Sequence, residues 1–455
     1  MEERDDVLVF IKHHIRKMDM QYKPSMFNRV IERKERMIIY NSFGGTKSLL
    51  EISPEKVEKV KGWLNSAVIG EIKDSDFCRL IEKGYLVRED VNEKKLREYR
   101  CIKYLTDNRL HLVLHITQAC NFRCSYCYMD FKPVYMHADV QQGIVNYIRQ
   151  NIQRFKSVRI DWFGGEPLMG MDIIERISKE VMEICREHKK PYVAMVTTNG
   201  YNLTAENVKK LMSCKVTHIA VTIDGTKEMH DSQRTLANGD STFDQIINNL
   251  RYIRDNIKSR TLTVSIRTNI TRNHIPKLNE YYAFYDNEFG YDHRFSLFIR
   301  PVADYGGEKV KKMRNVFISD MQDVYDTIVN IQGNIKFFPN FIDLEEGGYT
   351  CTARDMYKYT IGCDGKVSKC DESLEEAIGH IYQDGHMQID EKKCADWFLA
   401  NPKEECDNCF FSGSCFMELC PKARNIHNSD VCRVNFKEID SLIWMAANTY
   451  RIERL

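Results

Sequence analysis

The sequence lacks three features that would link it to a membrane, to secretion or to nucleic acid. It has no run of about eighteen uncharged apolar residues, the length that a membrane helix needs. Its first ten residues, MEERDDVLVF, do not show the basic-then-apolar pattern of a secretory signal. Its 66 basic residues are balanced by 65 acidic ones, so no net attraction to nucleic acid or an anionic membrane is expected. We therefore expect a cytoplasmic protein that binds neither.

Cysteine, by contrast, is abundant: the chain has 16 among 455 residues. A disulfide framework of that size is not expected in reducing cytosol, where thiols more often bind metals or clusters. Most of these cysteines fall into two groups, within residues 120–127 and 351–432. Outside both groups we expect packing residues, because free cysteine is often buried. These are Cys78, Cys101, Cys185 and Cys214.

The first hundred residues are predicted to form a separate small unit. Two apolar runs, 37–43 and 48–53, are joined through a Gly-Gly pair, which indicates a hairpin. Pro54 opens the first of two predicted helices, and a short apolar run at 85–87 follows the second. Hairpin, helix, helix and strand is the order of elements in a small winged-helix unit.

From residue 110 to about 300, apolar strand patterns alternate with amphipathic helix patterns. This α/β alternation predicts a parallel sheet, and six such units suit a partial (β/α)6 barrel with functional groups at the carboxyl ends of its strands. Residues 308–340 are predicted to be mostly helical. The candidate strands are 111–117, 158–163, 192–199, 218–224, 262–270 and 295–301, and typical helical patterns are 172–188 and 243–257.

Directly after the first of these strands comes the loop CNFRCSYC, which contains Cys120, Cys124 and Cys127. Three thiolates in so short a loop can bind three irons of a [4Fe–4S] cluster and leave the fourth iron open for a ligand. From the residues alone, a zinc site that lacks one ligand is the alternative.

This loop resembles the signature of the radical S-adenosylmethionine (SAM) superfamily, including the aromatic Tyr126 before its third cysteine. The motif GGEP follows the second strand and resembles the family motif that holds the amino group of the methionine moiety of SAM. Its residues are Gly164, Gly165 and Glu166. Glycines let the backbone approach a ligand, and a carboxylate favours an ammonium group.

Further along, VTIDGTKEMHDSQR resembles the family segment in which a hydroxyl residue meets the SAM ribose and an arginine meets its carboxylate. Here these are Thr222 and Arg234. Asn199 and Val302 fall where related enzymes have pocket residues. The resemblance implies that SAM is reductively cleaved to methionine and a 5′-deoxyadenosyl radical, which abstracts a hydrogen atom from the substrate.

The spacing of the C-terminal cysteines permits zinc ribbons or further iron–sulfur clusters. Their order closely resembles the SPASM domain of radical SAM enzymes, except that the gap after Cys415 is four residues where three is usual. The resemblance implies two auxiliary [4Fe–4S] clusters and therefore three clusters in all. The first would have the ligands Cys351, Cys370 and Cys420, and the second Cys406, Cys409, Cys415 and Cys432.

Two residues of this region have alternative roles. Cys363 is either the missing fourth ligand of the first auxiliary cluster or a spectator in a turn, with one iron open for a substrate thiolate. Asp371 follows Cys370, and an aspartate at the matching position of the similar sulfatase-maturing enzymes acts as a base. The alternative is that Asp371 caps a helix. Cys394 has no motif partner and is expected to be structural.

The resemblance also implies a class of substrate. SPASM proteins mostly modify peptides or proteins, and the N-terminal unit is similar to the element that captures the leader of a ribosomally made precursor peptide as an added edge strand. A stabilising cap without a ligand is the alternative. The expected regions are a winged-helix-like domain (1–100), a radical SAM barrel (105–305), a helical bridge (306–345) and a SPASM domain (346–455).

We therefore expect a radical SAM peptide maturase that forms a thioether or carbon–carbon cross-link. Its partners would be a precursor peptide with a leader and an electron donor such as flavodoxin or ferredoxin. An anaerobic sulfatase-maturing enzyme that forms formylglycine is the alternative. A non-enzymatic alternative is an iron–sulfur scaffold that binds a partner.

Overall fold

The protein has an α/β fold with a mixed ten-stranded sheet at its centre. Most of the predicted helical bridge, and all of residues 1–19, lie outside the described residues. Within the described ranges, no helix is long and apolar enough to cross a membrane. The computed structural model describes residues 20–302, 313–318, 324, 327, 342–399, 402–417, 420–427, 432, 434–450 and 452–455.

The N-terminal unit contains the predicted elements and four more. The predicted hairpin is an antiparallel pair of strands, Arg36–Asn41 and Leu50–Ile52, and Gly45 in its connection has a φ of +62°. The Asp74 carboxylate caps the second helix by accepting hydrogen bonds from the backbone of Asp76 and Phe77. The patterns do not predict the strands Gln21–Pro24, Asn28–Arg33 and Ile69–Gly70 or the helix Glu93–Leu105. The elements are β1 (Gln21–Pro24), β2 (Asn28–Arg33), β3 (Arg36–Asn41), β4 (Leu50–Ile52), α1 (Val57–Leu64), β5 (Ile69–Gly70), α2 (Ser75–Glu82), β6 (Leu86–Arg88) and α3 (Glu93–Leu105).

Six parallel strands follow, and they lie in the sheet in the order in which they occur along the chain. Helices connect them, and the arrangement is consistent with a partial TIM-type barrel. The predicted strand at 218–224, for example, is observed at Val216–Thr222. The strands are β7 (Arg109–Thr117), β8 (Ser157–Gly164), β9 (Tyr192–Thr198), β10 (Val216–Thr222), β11 (Thr263–Ile270) and β12 (Phe295–Pro301). The helices are α4 (Ala138–Asn151), α5 (Met171–Glu187), α6 (Ala205–Ser213), α7 (Lys227–Gln233), α8 (Phe243–Asn256) and α9 (Leu278–Phe289).

The C-terminal region extends the same sheet. Its first strand, β13 (Lys358–Ile361), runs parallel to β7, and three antiparallel strands follow. Asp440 accepts two hydrogen bonds from Arg29, at 2.7 and 2.6 Å, and so fixes the last helix to the N-terminal unit. The last strand, β17, pairs with β4. The remaining elements are β14 (Lys366–Ser368), β15 (Gly379–Ile381), β16 (Met387–Ile389), α10 (Glu391–Phe398), α11 (Ser412–Cys415), α12 (Pro421–His427), α13 (Phe436–Thr449) and β17 (Glu453–Arg454).

Side chains on the barrel strands alternate between two faces. On β7, Leu112 and Leu114 are fully buried in the main hydrophobic core. His111 and His115 lie on the opposite face, the inner face of the barrel, because successive residues of a strand point to opposite sides. Strand register places Lys358 of β13 level with His111. The inner face of β7 and β13 is therefore polar, as a site for a polar ligand requires.

Candidate active site

The first cysteine group lies in the loop that leaves the carboxyl end of β7. Phe122 is fully buried in the main core and anchors this loop. Cys124 is buried, whereas Cys120 and Cys127 are partly exposed. The backbone N–H of Cys127 donates to the Cys124 carbonyl at 3.3 Å, so these two residues share one turn. The loop thus holds three thiols on one short stretch of backbone.

The positions of these three thiols are compatible with an iron–sulfur cluster. Burial, with a smaller contribution from the charge of Cys127, raises the pKa of Cys120 to about 12 and that of Cys124 to about 11. In the part of the chain that the structure describes, no three His, Cys, Asp or Glu side chains converge as the ligands of one ion would. Thiolates that each bind a different iron of a cluster need not converge in that way.

The Gly164-Gly165-Glu166 segment packs against the start of the cysteine loop. The backbone N–H groups of Gly165 and Glu166 donate to the carbonyls of Thr117 and Ala119, both at 2.8 Å. A Cβ atom on Gly164 would lie 2.3 Å from the Thr117 carbonyl oxygen, and one on Gly165 would lie 2.2 Å from that of Ala119. Gly164 also has a φ of +127°, which residues with side chains rarely adopt. Both glycines are therefore required by the packing of the two loops.

The Glu166 carboxylate is engaged by the protein itself. The side chain is fully buried. It accepts hydrogen bonds from the Thr198 hydroxyl at 2.7 Å and from the backbone of Leu168 and Asn199 at 3.0 and 2.7 Å. Burial raises the pKa of Glu166, and these hydrogen bonds oppose the shift. The carboxylate thus ties the loop after β8 to the end of β9, a role that its expected attraction for an ammonium group did not predict.

A buried polar network joins the cysteine loop to the ends of β10 and β11. The Tyr126 hydroxyl accepts hydrogen bonds from Arg234 at 2.6 Å and Asn269 at 3.1 Å, and it donates to Asp224 at 2.5 Å. Arg234 is 5% exposed; its Nε lies 4.0 Å from Oδ2 of Asp224 and has no hydrogen-bond partner among the described residues. A buried guanidinium N–H of this kind fits an anionic ligand such as a carboxylate. The sequence analysis did not predict Asp224 or Asn269 as site residues. Asp224 could have been found, because it is an acidic residue only two positions after Thr222.

Three further predicted pocket residues lie at the carboxyl ends of neighbouring strands. Asn199 follows β9, and its side-chain amide donates to Asn121 of the cysteine loop at 2.7 Å. Thr222 ends β10 and is 9% exposed. Val302 follows β12 and is buried, and its N–H donates to the Ile270 carbonyl at 2.9 Å. The structure thus places every predicted cofactor-binding residue at this edge of the barrel or in the loops that leave it.

The second cysteine group is brought together in part. Burial raises the pKa of the Cys409 thiol, and the charges of Cys406 and Cys432 raise it further, so both are its neighbours. The Cys409 N–H donates to the Cys406 carbonyl at 3.3 Å. Cys415 is buried at the end of α11, in the same segment of chain. Three of the four cysteines predicted for the second auxiliary cluster therefore lie near one another.

The cysteines predicted for the first auxiliary cluster differ in their surroundings. Cys351, Cys370 and Cys420 are all partly exposed. Cys363 is buried, and its thiol donates to the His115 carbonyl of β7 at 3.0 Å. To bind iron, the Cys363 side chain would have to leave that carbonyl.

Asp371 directly follows Cys370 of the second cysteine group. Its Oδ1 accepts hydrogen bonds from the Lys358 ammonium and, at 2.7 Å, from the Thr360 hydroxyl. Burial acts to raise the pKa of Asp371, but Lys358 and the two hydrogen bonds outweigh it and lower that pKa. No helix begins at Asp371, since the described residues 371–378 contain none, so the helix-capping alternative is wrong. Burial raises the pKa of Tyr128, and the charges of Cys127 and Asp371 add to the shift, so this tyrosine lies near both.

Comparisons with known proteins agree with this geometry. Residues 114–280 match the family model of the Radical SAM superfamily. The Fe-coproporphyrin III synthase of Methanosarcina barkeri (strain Fusaro / DSM 804) is 25% identical over 199 residues, 44% of this chain. The chain covers about half of that relative's length, 46%.

A second relative aligns over more of its length. It is the cysteine-type anaerobic sulfatase-maturating enzyme of Clostridium novyi (strain NT), 24% identical over 326 residues, 66% of this chain and 84% of the relative. The solved structure described as native anSMEcpe with bound AdoMet and Cp18Cys peptide superimposes with a TM-score of 0.53, over 74% of this chain and 95% of that one. At 19% sequence identity, this likeness concerns the fold alone.

Proposed function

Residues 114–280 form a radical SAM domain, and we propose that the chain uses it as a peptide maturase. It would abstract hydrogen from a ribosomally made precursor peptide and form a thioether or carbon–carbon cross-link. When bound, a [4Fe–4S] cluster supplies an electron that cleaves SAM to methionine and a 5′-deoxyadenosyl radical. The observation that carries the proposal is the loop of Cys120, Cys124 and Cys127 beside the buried Arg234, which Tyr126 joins to that loop.

The proposed roles of the barrel residues follow from their positions. Cys120, Cys124 and Cys127 would bind the cluster. The Nε of Arg234, which donates no hydrogen bond to the described residues, would bind the SAM carboxylate, and the Thr222 hydroxyl would meet the ribose. The segment around Gly164, Gly165 and Glu166 would hold the methionine moiety, with Asn199, Tyr126 and Val302 lining the pocket. The protein's task is then to align a substrate C–H bond and to exclude other hydrogen donors.

We further propose two auxiliary clusters in a SPASM domain at 346–455. The neighbouring Cys406, Cys409 and Cys432, together with Cys415, would hold one of them. Cys351, Cys370 and Cys420, with or without Cys363, would hold the other. They would accept the electron of the product radical, while reduced flavodoxin or ferredoxin would supply the electron that cleaves SAM.

The N-terminal unit, proposed to be winged-helix-like, would bind the leader of the peptide. In the described chain, β2 has β3 as its one strand neighbour, so its other edge is open to an added strand. Val30 on β2 is 37% exposed, which offers an apolar contact to such a strand. Support for a peptide substrate is the peptide bound in the anSMEcpe structure, a protein with the same fold over most of this chain.

A sulfatase-maturing activity, in which a cysteine or serine is oxidised to formylglycine, is the second candidate. The observation that favours it is Asp371, an ionised carboxylate beside Tyr128 of the cysteine loop. The relative in Clostridium novyi, aligned over 84% of its length, adds to this candidate. The N-terminal unit, with its open strand edge, favours the maturase.

The test is mass spectrometry of anaerobically reconstituted protein with SAM, a strong reductant and a candidate precursor peptide, with and without its leader. We expect 5′-deoxyadenosine together with a leader-dependent loss of two hydrogen atoms per cross-link. SAM cleavage with an unchanged peptide, but with formylglycine formed in a sulfatase-derived peptide, would support the second candidate. Absence of SAM cleavage with an intact cluster would refute both.

A further inference from the structure

The ammonium group of Lys358, on β13, is buried. The Lys358 side chain is 1% exposed, and its Nζ donates to the Thr360 hydroxyl at 2.9 Å, to the Lys369 carbonyl at 2.6 Å and to Asp371. Burial of an ammonium is unfavourable unless it is paired and its N–H groups are satisfied. Lys358 meets this condition, since three acceptors surround it.

The position of Lys358 depends on strand pairing. Register places Lys358 level with His111 and Thr360 level with Val113 on β7. Because the two residues are separated by one position on β13, their side chains lie on the same face of the strand. Both reach the same oxygen, Oδ1 of Asp371. Through these two side chains, β13 holds the turn that contains Cys370 and Asp371.

Only one of the two carboxylate oxygens of Asp371 is held by these hydrogen bonds. The Asp371 side chain is 37% exposed, although its lysine partner is fully buried. Its second oxygen, Oδ2, accepts no hydrogen bond from the residues that the structure describes. A carboxylate has lone pairs on both oxygens, so the free one is available as an acceptor. Tyr128 of the cysteine loop and His115 of β7 are among the neighbours of this carboxylate.

We infer that Lys358 is a positioning residue that, with Thr360, fixes Oδ1 of Asp371 so that Oδ2 accepts a hydrogen bond from an N–H or O–H group of the substrate. This inference rests on the proposed function, since it places the substrate at Asp371. Lys358 does not touch the substrate; it acts through the orientation of the carboxylate. The buried lysine is therefore part of how the substrate is aligned with the radical.

A matched pair of variants separates positioning from folding. Lys369 is also fully buried, and its ammonium donates to two backbone carbonyls, those of Asp355 and Lys358, but not to Asp371. Lys358→Met should reduce the peptide product formed per 5′-deoxyadenosine at least about ten-fold, because misplaced groups lose much of their effect. Lys369→Met should change that ratio less than about two-fold.

Iron content and visible spectra, measured for both variants, report whether the clusters assemble. If Lys358→Met loses iron, Thr360→Val takes its place, since it removes one hydrogen bond to Oδ1 and keeps the ammonium. Thr360→Val should lower the same ratio about three-fold. An unchanged ratio in fully loaded Lys358→Met or Thr360→Val, or an equal fall in Lys369→Met, would overturn the inference.

A second measurement does not depend on the peptide. Hydrogen exchange of the Ser373 amide, which donates to the Cys370 carbonyl at 3.3 Å, reports opening of this turn. Lys358→Met, Asp371→Ala and the double variant should each speed that exchange by a similar factor, because they break the same contact. If the effects of the two single variants multiply in the double variant, the lysine and the aspartate act independently and the inference fails. If the wild type cleaves SAM but leaves every peptide unchanged, the proposed function fails. The exchange result would still show whether Lys358 holds Asp371 in place.

Discussion

The two cysteine groups are built in opposite ways. The first, Cys120 to Cys127, lies in one loop that follows a strand end and contains the buried Phe122, and the glycines of the next strand loop pack against the start of this loop. The second is spread over residues 351–432 and depends on contacts between segments far apart in sequence. A local group needs few correct contacts to form, whereas a dispersed group needs the whole region folded first. Substitutions in one group should therefore leave the other group largely unaffected.

The largest expected effect is that of Cys124→Ala. Removal of one of three thiolates from the loop should abolish 5′-deoxyadenosine formation and lower the iron content by about four of about twelve atoms per chain. Quantitative iron analysis and chromatography of the reaction check both. Loss of all the iron would contradict independent assembly of the two groups, and full SAM cleavage would contradict the assigned site.

Gly165→Ala should come next. Its Cβ would lie 2.2 Å from the Ala119 carbonyl oxygen, so the cysteine loop must shift. We expect SAM affinity to fall about 10- to 100-fold and the protein to lose about 1–3 kcal/mol of stability. Equilibrium dialysis and thermal unfolding measure these. Gly62→Ala is the matched control, since nothing lies within 4 Å of its Cβ and it sits in helix α1; an equal loss there would show that the loop contact is not the cause.

Cys409→Ala tests the dispersed group. It should lower the iron content by about four atoms and reduce peptide product, while SAM cleavage stays within about three-fold of the wild type. The same iron and product assays apply. If SAM cleavage is lost as well, the two groups are not separable.

Cys363→Ala should have a smaller effect on iron and decides an open point. Three-cysteine ligation of the first auxiliary cluster predicts unchanged iron content, because the Cys363 thiol stays at the His115 carbonyl. Four-cysteine ligation predicts loss of iron or an altered cluster spectrum. Iron analysis and electron paramagnetic resonance of the reduced protein distinguish the two, with Cys185→Ala, a buried cysteine outside both groups, as the control.

The smallest effect concerns His115 of β7, whose carbonyl accepts a hydrogen bond from Cys363. Burial lowers its pKa from the usual 6.5 to about 4 in the folded protein, while nearby Asp371 opposes the shift. The unfolded chain therefore binds more protons below pH 6.5, so stability falls as pH drops from 6.5 towards 4. Between pH 7 and pH 5 the loss should be about 2 kcal/mol or less. Thermal melts should show a shallower pH dependence in His115→Gln; an identical slope would contradict this prediction.

Much of the fold followed from local patterns. The six barrel strands were predicted within two residues of their bounds, because apolar runs between turn residues are a strong local signal. The strands β1 and β2 were missed, since short half-buried strands such as QYKP and NRVIER carry too little alternation to be distinguished. The helix α3 was missed because its charged sequence, EKKLREYRCIKYL, has no clear apolar stripe.

The sequence by itself determined which residues can do the chemistry. Three closely spaced cysteines, a Gly-Gly-Glu motif after a strand and a dispersed set of further cysteines are properties of the chain, and local spacing is preserved on folding. Tertiary structure alone decided how these residues are used. It buried the Glu166 carboxylate among protein donors, placed Cys363 against β7 and set Lys358 against Asp371. Local spacing does not predict these contacts: Glu166 reaches the end of β9, Cys363 reaches β7, and the position of Lys358 follows from the register of β13 beside β7.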